Sequence, residues 1–324
     1  MSEDKSLEIN YSIIIPHHDI PELLARCLAS IPKRDDVEVI VVDDNSSPDI
    51  VDFNSFPGMG RDDVRLIFSK KEGQWAGGAR NLGLASARGK WVTFIDADDY
   101  FNPCVEAMMD KHKDDDADLV FFRACSLDSE LYEANARTAM RTKHIDQYFG
   151  EYLKGDKSLG EGHLRYTFGE PWAKFYRRSL LEAHGIEFDI APINEDTLFA
   201  YRAGHAAQKI AADPHCLVCV TARASSLSQS DLTDEKKMAI IGIFAEKEHF
   251  LATHGKTKYM TGVDYLHYGM MAELLLDGKA DLFERGLRVF REQGLMRPMF
   301  YVRVGVLAGK KAIKRILRVL RKNR

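Results

Sequence analysis

The chain has 324 residues, with 45 Lys and Arg against 49 Asp and Glu, 45% hydrophobic and 29% charged side chains. That is ordinary globular composition, not that of a disordered, collagenous or disulfide-scaffolded chain, and the length allows one enlarged α/β domain or two smaller ones. The start is polar, apolar strings such as Ile13–Ile15 and Leu217–Val220 fall far short of a bilayer span of roughly 20 residues, and five cysteines lie scattered. The expectation is therefore a chain without secretory signal or membrane span, carrying reduced thiols in the cytoplasm. The net charge of −4 hides an asymmetry: residues 294–324 hold ten Lys and Arg and no acid, so the remainder carries −14.

In chain order, strand-like runs of β-branched and aromatic residues are predicted at Tyr11–Ile15, Val37–Asp43, Val64–Phe68 and Trp91–Ile95. Helical segments alternate with them: Pro21–Ile31 with proline in its first turn, a short piece after Pro48, and Ala76–Ala87 running out at Gly89. Such alternation predicts an α/β layer with a mainly parallel sheet, whose binding groups gather at the carboxyl ends of the strands. Further strands are expected at Asp118–Arg123, Ala173–Tyr176 and Cys216–Thr221, and a helix at Glu195–Ala203. The stretch through Gly155, Gly160, Gly162 and Gly169 reads as an irregular loop, and the chain is helical from Asp234 onward. The organisation expected is an α/β domain over residues 1–230 and a helical region over 231–324.

Each of three early strands runs into a polar loop: Pro16-His17-His18-Asp19, Asp43-Asp44-Asn45-Ser46-Ser47 and Asp96-Ala97-Asp98-Asp99. Any one of these acids is explained by helix capping or a turn, because Asp and Asn serve both. Together they point elsewhere. The two carboxylates of Asp96-Ala97-Asp98 can approach one hard divalent cation, Mg²⁺ or Mn²⁺, whose shell phosphate oxygens and water complete. Upstream, Gly77-Gly78-Ala79-Arg80 leads into a helix, where glycine permits close approach of an anion and Arg80 adds a planar charge; a plain helix start with a structural arginine is the alternative.

The segments Tyr11-Ser-Ile-Ile-Ile-Pro16, Val41-Val-Asp-Asp-Asn-Ser46, Gly77-Gly-Ala-Arg-Asn-Leu-Gly83, Ala87-Arg-Gly-Lys-Trp-Val-Thr-Phe-Ile-Asp-Ala-Asp-Asp99 and Asn194-Glu-Asp-Thr-Leu-Phe199 resemble, in order, the motifs of family 2 glycosyltransferases. The likeness covers about residues 10 to 230. It implies the GT-A fold, a Rossmann-like, mainly parallel mixed sheet flanked by helices, with the helical C-terminal region as an extension. It also implies inverting transfer of the bacterial cell-surface polysaccharide type. Carried over residue by residue, Pro16 and His18 fall in the loop that holds base and ribose, Asp44 matches the acid on the pyrimidine, and Gly78 and Arg80 fall in the segment flanking the nucleotide. Asp96 and Ala97 would lie by the ribose, Asp98 would ligate the metal, and Asp196 matches the general base, with Glu195 the weaker candidate beside it. One departure stands in the first loop: the family places an aromatic ring and then Asn after the proline, where this chain has His18 and Asp19.

The reading is a metal-dependent inverting glycosyltransferase using Mn²⁺ or Mg²⁺, taking a nucleotide sugar, UDP-linked by default, to a saccharide or lipid-linked acceptor. Three rival readings stand beside it. A sugar nucleotidyltransferase lacks support because no glycine-rich loop follows the first strand, and the same absence argues against a dinucleotide-binding oxidoreductase. A catalytically inactive scaffold is opposed by the presence of both Asp98 and Asp196. Cys216-Leu-Val-Cys219 has the spacing of half a zinc site but sits in an apolar run without a matching pair, so core thiols are expected. Trp172 and Lys174 resemble the strand bordering the acceptor, Trp172 being equally well a core residue, and Arg223 either closes over the diphosphate or ends a strand. Finally, Ile313, Ile316, Leu317 and Leu320 fall at i, i+3, i+4 and i+7 among seven Lys and Arg. This basic amphipathic helix would suit an anionic membrane surface, placing the protein in the cytoplasm at the inner face of the membrane; a packed terminal helix is the alternative, and no nucleic-acid partner is expected.

Overall fold

In the computed structural model the described residues are 8–69, 71, 73–129, 131–222 and 232–322. The chain divides into two compact units, Met1–Ile190 with Glu195–Ser226 and Ala191–Asn194 with Leu227–Arg324. The expected boundary between residues 230 and 231 lies outside the described residues, as does Arg223.

The first unit opens with β1 (Tyr11–His17), α1 (Pro21–Ala29), β2 (Val37–Asp43), β3 (Val64–Phe68), α2 (Trp75–Ser86) and β4 (Trp91–Phe94). It continues with β5 (Tyr100–Phe101), α3 (Val105–His112), β6 (Leu119–Asp128), α4 (Ala136–Lys154), α5 (Lys157–Tyr166) and β7 (Lys174–Arg177). It ends with α6 (Arg178–Ala183), α7 (Asp196–Ala206) and β8 (Ile210–Ala222). The strands form one sheet in the order β3-β2-β1-β4-β7-β6-β8-β5. Pairings β1 with β2, β1 with β4, β2 with β3 and β6 with β8 are parallel, and β7 and β5 join antiparallel. The mainly parallel mixed sheet is therefore as expected. β1 and β2 are buried along their whole length, which is why they read as nearly unbroken apolar runs. Two acids are buried in these strands, Glu38 and Asp43; Glu38 accepts from Ser12 Oγ at 2.7 Å and from Arg88 N and Nε at 2.6 and 2.9 Å, the partners a buried carboxylate needs.

Two expectations fail for identifiable reasons. No helix follows Pro48. Instead Ser47 Oγ accepts from Asp49 N at 3.2 Å and Asp52 accepts from Asn54 N and Ser55 Oγ at 2.9 and 2.7 Å, local side-chain bonds that compete with a helical ladder. The presumed loop around Gly155 to Gly169 is instead the end of α4 and all of α5, the latter capped by Asp156 accepting from Leu159 N at 3.1 Å. Gly160 is no breaker: a Cβ there would lie 2.2 Å from Tyr152 N, so glycine lets α5 press against α4.

The second unit is helical, as expected: α8 (Asp234–Thr253), α9 (Leu266–Leu276), α10 (Ala280–Glu292) and α11 (Pro298–Lys322). Its core is aromatic, with Phe290 4.7 Å from Phe300 and 5.1 Å from Tyr268, ring centre to ring centre. Among the described residues no helix is long and apolar enough to cross a membrane.

Candidate active site

Parallel strands deliver three loops to one edge of the sheet. β1 and β2 run in register to the pair His17 and Asp43. Ile95 N donates to Ile14 O at 3.2 Å, so β4 reaches the same edge and hands over to Asp96. This carboxyl edge is where α/β sheets bind ligands, because side chains there are positioned by strands yet face open space.

The first two loops are stitched together beneath the surface. His17 is buried, accepts from Ile20 N at its Nε2 (3.2 Å), and so holds its proton on Nδ1, which points at Asp43 Oδ2 at 3.3 Å. Asp43 Oδ1 in turn accepts from Ser46 N at 3.0 Å, Asp19 N donates to Ser46 Oγ at 2.9 Å, and Asp19 Oδ1 accepts from Ser47 N at 2.7 Å. Asp19 and Asn45 both take left-handed backbone, with φ of 55° and 56°, a conformation Asp and Asn tolerate best after glycine. These bonds leave His18 exposed and fix it to the second loop, its Nδ1 donating to Asp44 O at 2.7 Å. Withdrawal from solvent raises the Asp44 carboxyl above its ordinary range, with His18 pulling the other way. Pro16, His18 and Asp44 thus lie at neighbouring strand ends on this edge.

The third loop is clamped from behind. Asp99 is buried; its N donates to Asp96 O at 2.9 Å and its Oδ1 accepts from Thr221 N at 2.7 Å. Thr221 Oγ1 and the Arg26 guanidinium both donate to Asp98 O, and Ala97 is buried beneath the turn. Carboxylate oxygens of Asp96, Asp98 and Asp99 lie within 4.8 Å of one another. Burial and the charges of Asp98 and Asp96 push the Asp99 carboxyl well up. An all-oxygen donor set under mutual repulsion fits a hard divalent cation, which relieves that repulsion.

Arg80 ties this loop to the Asp196 segment. It is 4% exposed, with Nη2 2.6 Å from Asp96 Oδ1 and Nη1 2.7 Å from Glu195 Oε1, and its guanidinium lies 5.2 Å from the Phe188 ring centre. Next to it, Asn81 Nδ2 donates to Phe188 O at 2.9 Å while its Oδ1 accepts from Phe188 N at 2.8 Å. The helix start is packed as tightly: a Cβ on Gly77 would lie 2.1 Å from Asp189 O, and one on Gly78 would lie 2.6 Å from Gln74 Cβ. Close packing, on backbone at Gly77 and on the Gln74 side chain at Gly78, accounts for both glycines. Arg80, read from sequence either as a planar charge beside an anion or as a structural arginine, bridges two carboxylates here.

Asp196 begins α7. Its carboxyl is pushed up to about 8, first by burial, then by Glu195, with Arg80 opposing and Glu170 and Asp96 adding to the rise. Nearby, Lys174 on β7 is 1% exposed; Nζ donates to Phe168 O at 3.1 Å and to Glu170 O, and stands 3.6 Å above the Phe168 ring centre. Burial pulls this amine down to about 7 against the attraction of Glu170 and Asp196. Trp172 is 3% exposed and meets Phe168 edge-on at 5.7 Å, a core residue and not a sugar platform. Cys219 is buried and Cys216 half-buried in β8, and the only potential metal cluster among the described residues is the aspartate trio.

Sequence reasoning missed Asp99 as a member of the cluster, although it stands in the same acidic run, and missed Glu195 as the partner of Arg80 and Glu170 as a charge beside Asp196. The last two had no signal, since 115 residues separate Arg80 from Glu195.

The mainly parallel mixed sheet with helices around it is a GT-A fold. Solved structures agree on the fold: Staphylococcus aureus TarS residues 1–349 in complex with UDP-GlcNAc aligns with a TM-score of 0.59 over 94% of this chain and 92% of TarS at 19% identity. The mannosyltransferase PcManGT of Pyrobaculum calidifontis, in complex with GDP-Man and Mn²⁺, aligns at 0.53 over 94% and 80% with 16% identity. The profile of Glycosyl transferase family 2 matches residues 12–185, more than half the chain, and the protein belongs to that family. Among curated relatives, EpsH of Bacillus subtilis is 31% identical over 61% of this chain and 57% of its own. The GalNAc(5)-diNAcBac-PP-undecaprenol beta-1,3-glucosyltransferase of Campylobacter jejuni is 31% identical over 53% of this chain and 52% of its own. The match thus spans little more than half the length of these relatives.

Proposed function

We propose that this protein is a metal-dependent inverting glycosyltransferase that moves a sugar from a nucleotide sugar, a UDP-sugar by default, to a hydroxyl of a saccharide or lipid-linked acceptor in surface polysaccharide or glycolipid assembly. The observation that carries the reading is the linkage Asp96–Arg80–Glu195, which couples an acidic loop suited to a diphosphate-bound cation to the residue next to Asp196. The relatives' names support the substrate classes: one acts on an undecaprenol-linked acceptor, and the structural neighbours were solved with UDP-GlcNAc and with GDP-Man and Mn²⁺.

In this reading Pro16, His18 and Asp44 hold base and ribose, Asp96 and Ala97 border the ribose, and Gly78 lies on the anion side of the α2 start. Asp98, with Asp96 and Asp99 beside it, would hold Mn²⁺ or Mg²⁺, which when bound neutralises charge on a diphosphate. Arg80 keeps Asp96 and Glu195 in place while remaining charged. The acceptor oxygen attacks the anomeric carbon, the bond from that carbon to the diphosphate oxygen breaks, and the hydroxyl proton passes to Asp196. Because the nucleophile enters opposite the leaving group in one displacement, the anomeric configuration inverts. The protein works in the cytoplasm, at the inner face of the membrane where a lipid-linked acceptor is presented, and no nucleic acid takes part.

The test is a panel of UDP- and GDP-sugars with Mn²⁺, Mg²⁺ or EDTA, read as nucleoside diphosphate release, with the product's anomeric configuration read by proton NMR. Metal-dependent turnover of one donor with an inverted product is expected. Retention of configuration, or a nucleoside triphosphate as co-substrate, would contradict the reading.

A further inference from the structure

The first three turns of α11 are apolar on opposite sides. Its inner side buries Phe300, Val304 and Ala308, the spacing of one helical face. The outer side of its first three turns carries Met299, Tyr301, Val302, Gly305, Val306 and Gly309, all exposed, with no charged side chain between Arg297 and Lys310 on that side. Met299, Tyr301, Val302 and Val306 are 52% to 64% exposed. Water-facing helix surfaces are normally polar, and a contiguous exposed apolar strip marks an interaction site. Beside the strip runs a groove of about 350 Å³ lined by Tyr265, Tyr268, Val302, Arg303, Val306 and Leu307. Arg303 belongs to the groove wall: it pairs with Glu248 at 3.2 Å and lies over the Tyr265 and Tyr268 rings at 4.6 and 5.0 Å.

From the structure we propose that this outer strip of α11 and its tyrosine-lined groove are a docking face for an anionic lipid bilayer. Charge selects the occupant. Exposed Arg297 and Lys310 bound the strip, within a stretch, residues 294–324, whose sequence holds ten Lys and Arg and no acid, so anionic headgroups meet charge of opposite sign. Valine and methionine side chains then enter the acyl boundary, and tyrosine, apolar with one polar end, suits the headgroup level. The proposal extends the lipid-linked acceptor reading and stands on a different surface, so either can fail alone.

The experiment uses the full-length protein and the double variant Val302→Asp with Val306→Asp. Both side chains are exposed, so folding is checked by an unchanged melting temperature. Sedimentation is measured with vesicles of phosphatidylcholine alone and of phosphatidylcholine mixed with phosphatidylglycerol. The wild type is expected to partition at least about 10-fold more strongly onto the mixed vesicles, and the variant to lose about 10-fold of that binding, consistent with a buried apolar face plus electrostatic attraction. Raised salt should weaken binding through screening. No partition onto either vesicle, equal partition of wild type and variant, or a wild-type dimer in solution that the variant dissolves would each overturn the proposal. Donor binding by both proteins, measured in parallel, reports on the glycosyltransferase reading separately: vesicle binding without donor binding sinks that reading and leaves this one standing.

Discussion

At the scale of single residues, Asp196 has the property a general base needs and a helix-capping acid does not: a carboxyl raised to about 8 by burial and by Glu195. As the ionised form takes the proton, transfer is expected to rise with pH through this range and level off above it. A pH profile of kcat/KM checks this, and a rate flat from pH 6 to pH 9 would go against it. The sign for stability is opposite. The folded state holds the Asp196 proton from the ordinary carboxylate range near 3.8 up to about 8, whereas the unfolded chain has released it, so this group's contribution favours folding at low pH and declines as pH rises across that window. Asp196→Asn removes the proton acceptor with little change of shape. Transfer should fall by about 10² to 10⁴-fold while nucleotide binding, measured calorimetrically, is kept. Arg80→Met leaves Asp96 and Glu195 facing each other without a cation. A loss of about 3 kcal/mol in urea unfolding is expected for breaking such a buried pair, with Arg80→Lys milder.

At the scale of elements, close approach of backbones is what fixes the site. Gly77→Ala would place a Cβ 2.1 Å from Asp189 O and should destabilise by about 1 to 3 kcal/mol through forced overpacking. Gly242→Ala in α8, with open space around it, should stabilise by up to about 1 kcal/mol; equal effects of the two changes on thermal unfolding would contradict this packing account. The same distinction explains what could be read in advance. β2 was legible to the residue because two-sided burial writes itself into Val-Glu-Val-Ile-Val-Val-Asp as a nearly continuous β-branched run, and the partly buried edge strand β3 because Val-Arg-Leu-Ile-Phe is rich in β-branched and aromatic residues. α4 and α5 were not, because Gly160 looks like a breaker until Tyr152 is seen against it. Within the site, the loop residues His18, Asp44, Asp96 and Asp98 showed themselves through their place after strands. The pairing of Arg80 with Glu195 and the neighbourhood of Glu170 and Lys174 around Asp196 arise only from tertiary folding, which local sequence does not encode.

For the whole molecule, a family 2 glycosyltransferase unit of GT-A fold shares its chain with a helical unit that carries the exposed strip of α11 and the basic end of the sequence. The central claim remains the site at the carboxyl edge of β1, β2 and β4. Calorimetric titration of UDP into the full-length protein and into Asp98→Ala, each with Mn²⁺ and with EDTA, tests it most directly. Wild-type binding that needs Mn²⁺ and is lost in Asp98→Ala is the result this account predicts; binding of UDP indifferent to both the metal and Asp98 would contradict it.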